Sequence, residues 1–151
     1  MDQKQIKKME KQVEEFFDKA GFPLLSLNIS EDDRVIKINI RVEEPKLLIG
    51  ERGNRLMETQ RILKLLILKD IKEPFFVDLD INDYKSKKNE ALRELAKEIA
   101  DDVALSRKKR ILEPMTPYER RIIHLELDKR EDIITESTGE EPHRKIVISP
   151  K

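Results

Sequence analysis

Three stretches between Leu25 and Ile81 place apolar residues at every second position, and that alternation constrains the fold more than any other feature. Leu25, Leu27 and Ile29 alternate with Ser26, Asn28 and Ser30. Ile36, Ile38, Ile40 and Val42 alternate with Lys37, Asn39 and Arg41, and Phe75, Val77, Leu79 and Ile81 complete the set. Successive side chains of a strand point to opposite faces, so each run reads as a strand with one buried face. The polar turn Ser30-Glu31-Asp32-Asp33 joins the first two runs into an antiparallel hairpin. A sheet that is apolar on one face must be covered there. The cover is present in the sequence. Ile6, Met9, Val13, Phe16, Phe17 and Ala20 recur at helical spacing until Gly21 and Pro23 stop the pattern, which predicts a helix over residues 4–20. Leu56, Gln60, Leu63 and Ile67 mark one face of a second helix that runs to Asp70.

Between the second strand and that helix, Pro45 opens a single helical turn, and Leu48-Ile49-Gly50-Glu51-Arg52-Gly53-Asn54-Arg55 follows. Glycine permits positive φ and leaves no Cβ in the way of a close neighbour. A loop that ends at a helix N-terminus also points free N–H groups outward, which suits a phosphate. On spacing alone the same loop reads as a plain tight turn between helices. The first 81 residues thus form a complete small α+β unit of helix, strand, strand, short helix, glycine loop, helix and strand.

A second unit starts at Asn82. Leu92, Leu95, Ala96, Ile99 and Val103 lie on one face of a long helix that ends in Arg107-Lys108-Lys109-Arg110. Ile111 and Leu112 read as a short strand. Thr116-Pro117-Tyr118-Glu119 supplies a threonine cap, a proline at the first helical position and a glutamate that closes a capping box. On the helix that follows, Arg120 and His124 are four apart and share a face. Arg121 lies on the flank of that face, and Tyr118, Ile122 and Leu125 form the expected core stripe. Residues 133–138 and 144–149 read as two strands joined by Gly139-Glu140-Glu141-Pro142.

Composition narrows the function. The 31 basic side chains balance 31 acidic ones, so any nucleic-acid site must be local rather than a product of bulk charge. There is no cysteine, which removes disulfides and thiolate metal sites and fits a reducing, cytoplasmic setting. The longest greasy run, Leu65-Leu66-Ile67-Leu68, is too short to span a bilayer, so no transmembrane segment is expected. Asp78, Asp80 and Asp83 are considered as a metal site, but the first two alternate with apolar strand residues and read as a solvent face. No cofactor, metal or catalytic group is expected.

Ile49-Gly50-Glu51-Arg52-Gly53, in its helix-strand-strand-helix-helix-strand setting, resembles the loop of a type II KH domain. Leu112-Glu113-Pro114-Met115-Thr116-Pro117-Tyr118-Glu119-Arg120-Arg121-Ile122-Ile123-His124 resembles the R-three-H domain, named for its Arg-x-x-x-His motif. Thr135-Glu136-Ser137-Thr138-Gly139-Glu140-Glu141-Pro142 and Arg144 extend that second resemblance. In this order the two look like the bacterial Jag family, also called KhpB. The resemblance implies two small α+β domains, a KH-like domain over 1–81 and an R-three-H-like domain over 82–151 with a three-stranded sheet and two helices. It implies a non-catalytic, cytoplasmic protein that binds single-stranded RNA, with single-stranded DNA as a second ligand, and acts as a post-transcriptional regulator or RNA chaperone. It further implies links to cell elongation, cell wall biogenesis and, in some lineages, sporulation. The implied partners are a small single-KH protein and, functionally, a membrane-protein insertase. Many members carry a further N-terminal domain, whereas the first KH-like helix here begins with the chain, as in a short member or a piece of a longer one.

The residues the resemblance nominates are Gly50, Glu51, Arg52, Gly53 and Arg55 in the first domain. In the second they are Arg120, Arg121, His124, Ser137 and Arg144. Glu51 sets a like charge against a phosphate, so more of the grip is expected from the second domain. Two other readings stand beside this one. The chain is a scaffold for the partner KH protein with little RNA binding, or a phosphodiesterase that uses His124 with an arginine.

Overall fold

The computed structural model describes residues 3–71 and 74–151. The chain divides into two compact units, Met1–Lys85 and Ser86–Lys151.

The first unit runs α1 Gln3–Lys19, β1 Ser26–Asp32, β2 Val35–Arg41, α2 Pro45–Ile49, a single 3₁₀ turn Glu51–Gly53, α3 Asn54–Leu68 and β3 Phe76–Ile81. Its sheet has the order β1-β2-β3, antiparallel between β1 and β2 and parallel between β2 and β3. The register sets Ile29 beside Ile38 and Ile38 beside Leu79, which lines the apolar residues up on one face. Met9, Val13 and Phe17 of α1 and Leu56, Leu63 and Ile67 of α3 close over that face. The hairpin is tighter than the sequence suggests. Both strands run on through Asp32 and Val35, and only Asp33 and Arg34 turn, each with positive φ. A two-residue turn with both residues left-handed matches the natural twist of paired strands, which explains the longer ladder.

Edge strand β3 is protected by side chains. Gln60 of α3 accepts the Leu79 N–H at 2.9 Å, which occupies a backbone donor that would otherwise face a stray strand. Beyond β3, the Asn82 amide bonds both the N–H and the carbonyl of Val42, each at 3.0 Å, and so continues the β2–β3 pairing through its side chain. Asn82, Tyr84 and Lys85 therefore stay with the first unit, and the division between units falls inside the helix that follows. The three aspartates each have a structural partner. Asp78 pairs with Lys85, Asp80 accepts the N–H groups of Ile81 and Lys85, and Asp83 pairs with Arg41 at 2.6 Å.

Helix α4, Tyr84–Ser106, leads into β4 Arg110–Ile111, α5 Pro117–Leu127, β5 Ile133–Thr138 and β6 Lys145–Pro150. The second sheet has the order β4-β6-β5 and is antiparallel throughout. Ala96, Ala100 and Val103 give α4 its buried stripe, against Leu112, Ile123, Leu127, Ile133, Ile146 and Ile148. Leu95, expected in that stripe, is exposed, and the two alanines take the innermost positions. The helix stops ahead of the basic run. Arg107 turns left-handed at φ 57° while its N–H still reaches the Val103 carbonyl, and Lys108 and Lys109 lie outside the helix. Among the described residues no helix is long and apolar enough to cross a membrane.

Candidate nucleic-acid interface

The start of α5 is fixed by local chemistry. The Thr116 hydroxyl accepts the Glu119 N–H at 3.3 Å, and the Glu119 carboxylate accepts the Thr116 N–H at 2.7 Å. This is the capping box read from the sequence. Burial pushes the Glu119 carboxyl up, but the Lys88 ammonium at 2.6 Å and the Thr116 donors outweigh it, and the group lies below its usual range.

From that fixed start the helix turns a different face to the core than expected. Ile122, Ile123 and Leu127 are buried, whereas Tyr118 and Leu125 are 63% and 64% exposed. Arg120 is also buried, with 7% of its surface accessible. Its guanidinium donates to the Met115 carbonyl and to the Glu141 carboxylate, both at 2.6 Å. The planar guanidinium fork thus ties the start of α5 to the turn between β5 and β6. The arginine expected to project into solvent is a buried tie instead.

His124, one turn on, also faces inward. Its Nδ1 lies 2.8 Å from Thr135 Oγ1 and its Nε2 lies 2.9 Å from Ser137 Oγ, so both ring nitrogens are held by β5. Burial, and then the Arg120 guanidinium, push the ring pKa down from its ordinary value. A neutral imidazole donates through one nitrogen and accepts through the other, which suits two hydroxyl partners.

Arg120, His124 and Ser137 share a shallow depression of about 350 Å³ along α5 with Arg121, Leu125 and Asp128. Pro117 closes its N-terminal end. Arg121 is the exposed cation of this group. Four of the five second-domain residues nominated by the sequence therefore come together. Arg144 is not among the lining residues. Its carbonyl accepts the Met115 N–H at 3.1 Å, and its Nε is buried without a hydrogen-bond partner. Sequence reasoning missed Thr135, Glu141 and Asp128 as site residues. Asp128 was within reach, because it lies four residues beyond His124 on the same helix face. Glu141 carries no local signal, being 21 residues from its partner.

The first-unit loop has a different logic. Gly50, Arg52 and Gly53 take φ values of 71°, 54° and 85°. A Cβ on Gly50 would lie 2.7 Å from Cγ of Arg55, and one on Gly53 would lie 3.0 Å from the Tyr84 ring. The neighbours that require these glycines belong to the chain itself. Arg55 folds back over Gly50 and donates to the Leu47 carbonyl at 3.1 Å, which satisfies the end of α2. Glu51 and Arg52 are exposed. An apolar groove of about 390 Å³ runs beside the loop, lined by Phe22, Leu47, Leu48 and Ile62, with Arg55 and Glu58 among its charged walls.

The fold and the α5 groove define a two-unit α+β protein whose second unit is an R-three-H domain, and residues 90–150 match that family. The chain is 36% identical over 140 residues to an RNA-binding protein KhpB of Clostridium symbiosum, covering 92% of this chain and 63% of the relative. It is 34% identical over 127 residues to the RNA-binding protein KhpB of Bacillus subtilis (strain 168), covering 83% and 61%. It is 29% identical over 123 residues to the one from Lactiplantibacillus plantarum, covering 82% and 38%. The chain is a homologue of the KhpB proteins, the Jag family, and it spans less than two thirds of the length of these relatives.

Proposed function

We propose that this protein binds single-stranded RNA without catalysing a reaction on it, and that the α5 groove is its main contact. The observation that carries this reading is the division of labour in the groove. Arg120 and His124 are fully engaged inside the fold, while Arg121 is exposed beside the Ser137 hydroxyl. Arg121 supplies the charge that holds a phosphate. Ser137 supplies a directed donor when Nε2–H of His124 donates to its oxygen and leaves its own proton pointing into the groove. The buried motif residues act as the frame. The names of the KhpB relatives agree with RNA as the ligand.

The first unit adds a KH-like site of lesser strength. Its element order and left-handed glycine loop support that assignment, and the adjoining groove has room for bases. Glu51 on the loop, Glu58 in the groove beside it and Glu43 and Glu44 in the next one offset Arg52 and Lys46. A phosphate chain gains little there. The two-site reading is tested by measuring RNA affinity against salt for the intact chain and for Arg121→Ala. Removing one phosphate-binding cation should lower the log–log slope by about 1. An unchanged slope removes Arg121 from the interface. The scaffold reading keeps one supporting observation, the exposed Met57, Ile62, Leu65 and Leu68 on α3. RNA recovered by crosslinking from cells separates a binding protein from a scaffold.

A further inference from the structure

The α5 groove is electrically lopsided. Arg121 stands near the N-terminal end of the helix and Asp128 caps its C-terminal end, and both line the same depression. Seven residues at 1.5 Å each set them about 10 Å apart along the axis, two turns on one side of the helix. The helix dipole adds positive character near Arg121 and negative character near Asp128. A phosphate is drawn to one end and repelled from the other. Asp128 is exposed, and among the described residues its carboxylate has no ion-pair or hydrogen-bond partner. Between the two charges lie the neutral His124 ring and the apolar Leu125.

A carboxylate can only accept hydrogen bonds. One placed two turns from a phosphate-binding arginine is unfavourable for a second phosphate and favourable for a donor. A nucleotide offers two kinds of donor away from its phosphate, the ribose 2′-hydroxyl and the exocyclic amines of the bases. We propose that Asp128 is a specificity-determining residue of this groove, accepting a hydrogen bond from such a donor on the nucleotide whose phosphate Arg121 holds. The groove then has a polarity, with phosphate at the Pro117 end and a donor at the Asp128 end. This inference rests on the RNA-binding reading above.

The test uses the intact chain and fluorescence anisotropy with labelled oligomers of rC, rU, dC and dU. Asp128→Ala should weaken binding of the donor-bearing oligomers about tenfold, the size of one hydrogen bond to a charged group. Asp128→Asn keeps an acceptor oxygen and should lose less. Loss on rC and rU alone identifies the 2′-hydroxyl. Loss on rC and dC alone identifies the exocyclic amine. Equal or tighter binding of all four overturns the proposal, because it marks Asp128 as merely repulsive. Equal loss on all four also overturns it, since dU carries neither donor. If Arg121→Ala leaves every affinity unchanged, the groove is not the RNA site, and both readings fail together. Thermal unfolding of each variant confirms that the fold is intact.

Discussion

Replacing Arg120 by alanine should damage the fold before it damages binding. The guanidinium makes two bonds of 2.6 Å, to the Met115 carbonyl and to Glu141. A hydrogen bond from a charged donor to a buried carbonyl contributes about 1.5–3 kcal/mol. The Glu141 side chain is 50% exposed, so solvent screening limits the ion pair to about 1 kcal/mol or less. Loss of the buried stem adds about 1 kcal/mol more after the neighbours relax. The sum is about 3 kcal/mol against the second unit. For a unit of this size each kcal/mol shifts the midpoint by about 4–8 °C, so a fall of more than about 10 °C is expected. Calorimetry of the intact chain reads it directly. Glu141→Gln keeps an acceptor and should fall far less. RNA affinity is then compared at a temperature where both forms are folded, and most of it should remain. A variant with an unchanged midpoint and abolished RNA binding would refute the assignment of Arg120 as a buried tie.

Other consequences follow from the same geometry. Gly53→Ala forces a side chain into the left-handed region against Tyr84 and should cost the first unit about 2 kcal/mol in urea denaturation. Gly21→Ala, with a similar φ of 82° and no neighbour within 4 Å, should cost about 1 kcal/mol, and the difference measures the effect of Tyr84. His124 has a folded pKa below its ordinary 6.5, through burial first and Arg120 second. The unfolded chain therefore binds more protons just below pH 6.5, and stability should fall as pH drops through the window from 6.5 to the folded pKa. That slope should flatten in His124→Gln, as read from denaturation midpoints across pH. Thr116→Ala removes the capping box and should destabilise the second unit by about 1 kcal/mol without changing the salt dependence of RNA binding.

The parts of the fold set by local pattern were legible in the sequence. Alternation gave the strands, and Thr116-Pro117-Tyr118-Glu119 gave the start of α5 to the residue, because cap chemistry is local. The face of α5 was not legible. Ile122 and Ile123 are adjacent, so an apolar stripe can be centred through Tyr118 and Leu125 or through Ile123 and Leu127, and counting apolar residues favours the first. Arg120 decides in favour of the second, and an arginine is counted as polar unless its partner is known. That partner, Glu141, arrives from the far side of β5, and no short-range pattern predicts the pairing. The glycine loop was legible as a loop with positive φ. Its reason was not, because the close approaches come from Arg55 and Tyr84 rather than from another backbone. In the site, helix periodicity brought Arg120 and His124 together correctly. It could not say that both would be consumed by the fold and that the exposed cation would be Arg121.

The central claim is that RNA lies along the outer groove of α5, with Arg121 at the phosphate. Mapping backbone amide shifts of the isotope-labelled chain during titration with a short single-stranded RNA tests it most directly. The account predicts saturable shifts at Arg121, His124, Leu125, Asp128 and Ser137, with weaker changes around Glu51 and Arg52. Shifts confined to the first unit, or absent from Arg121 and Ser137 at saturation, would contradict it.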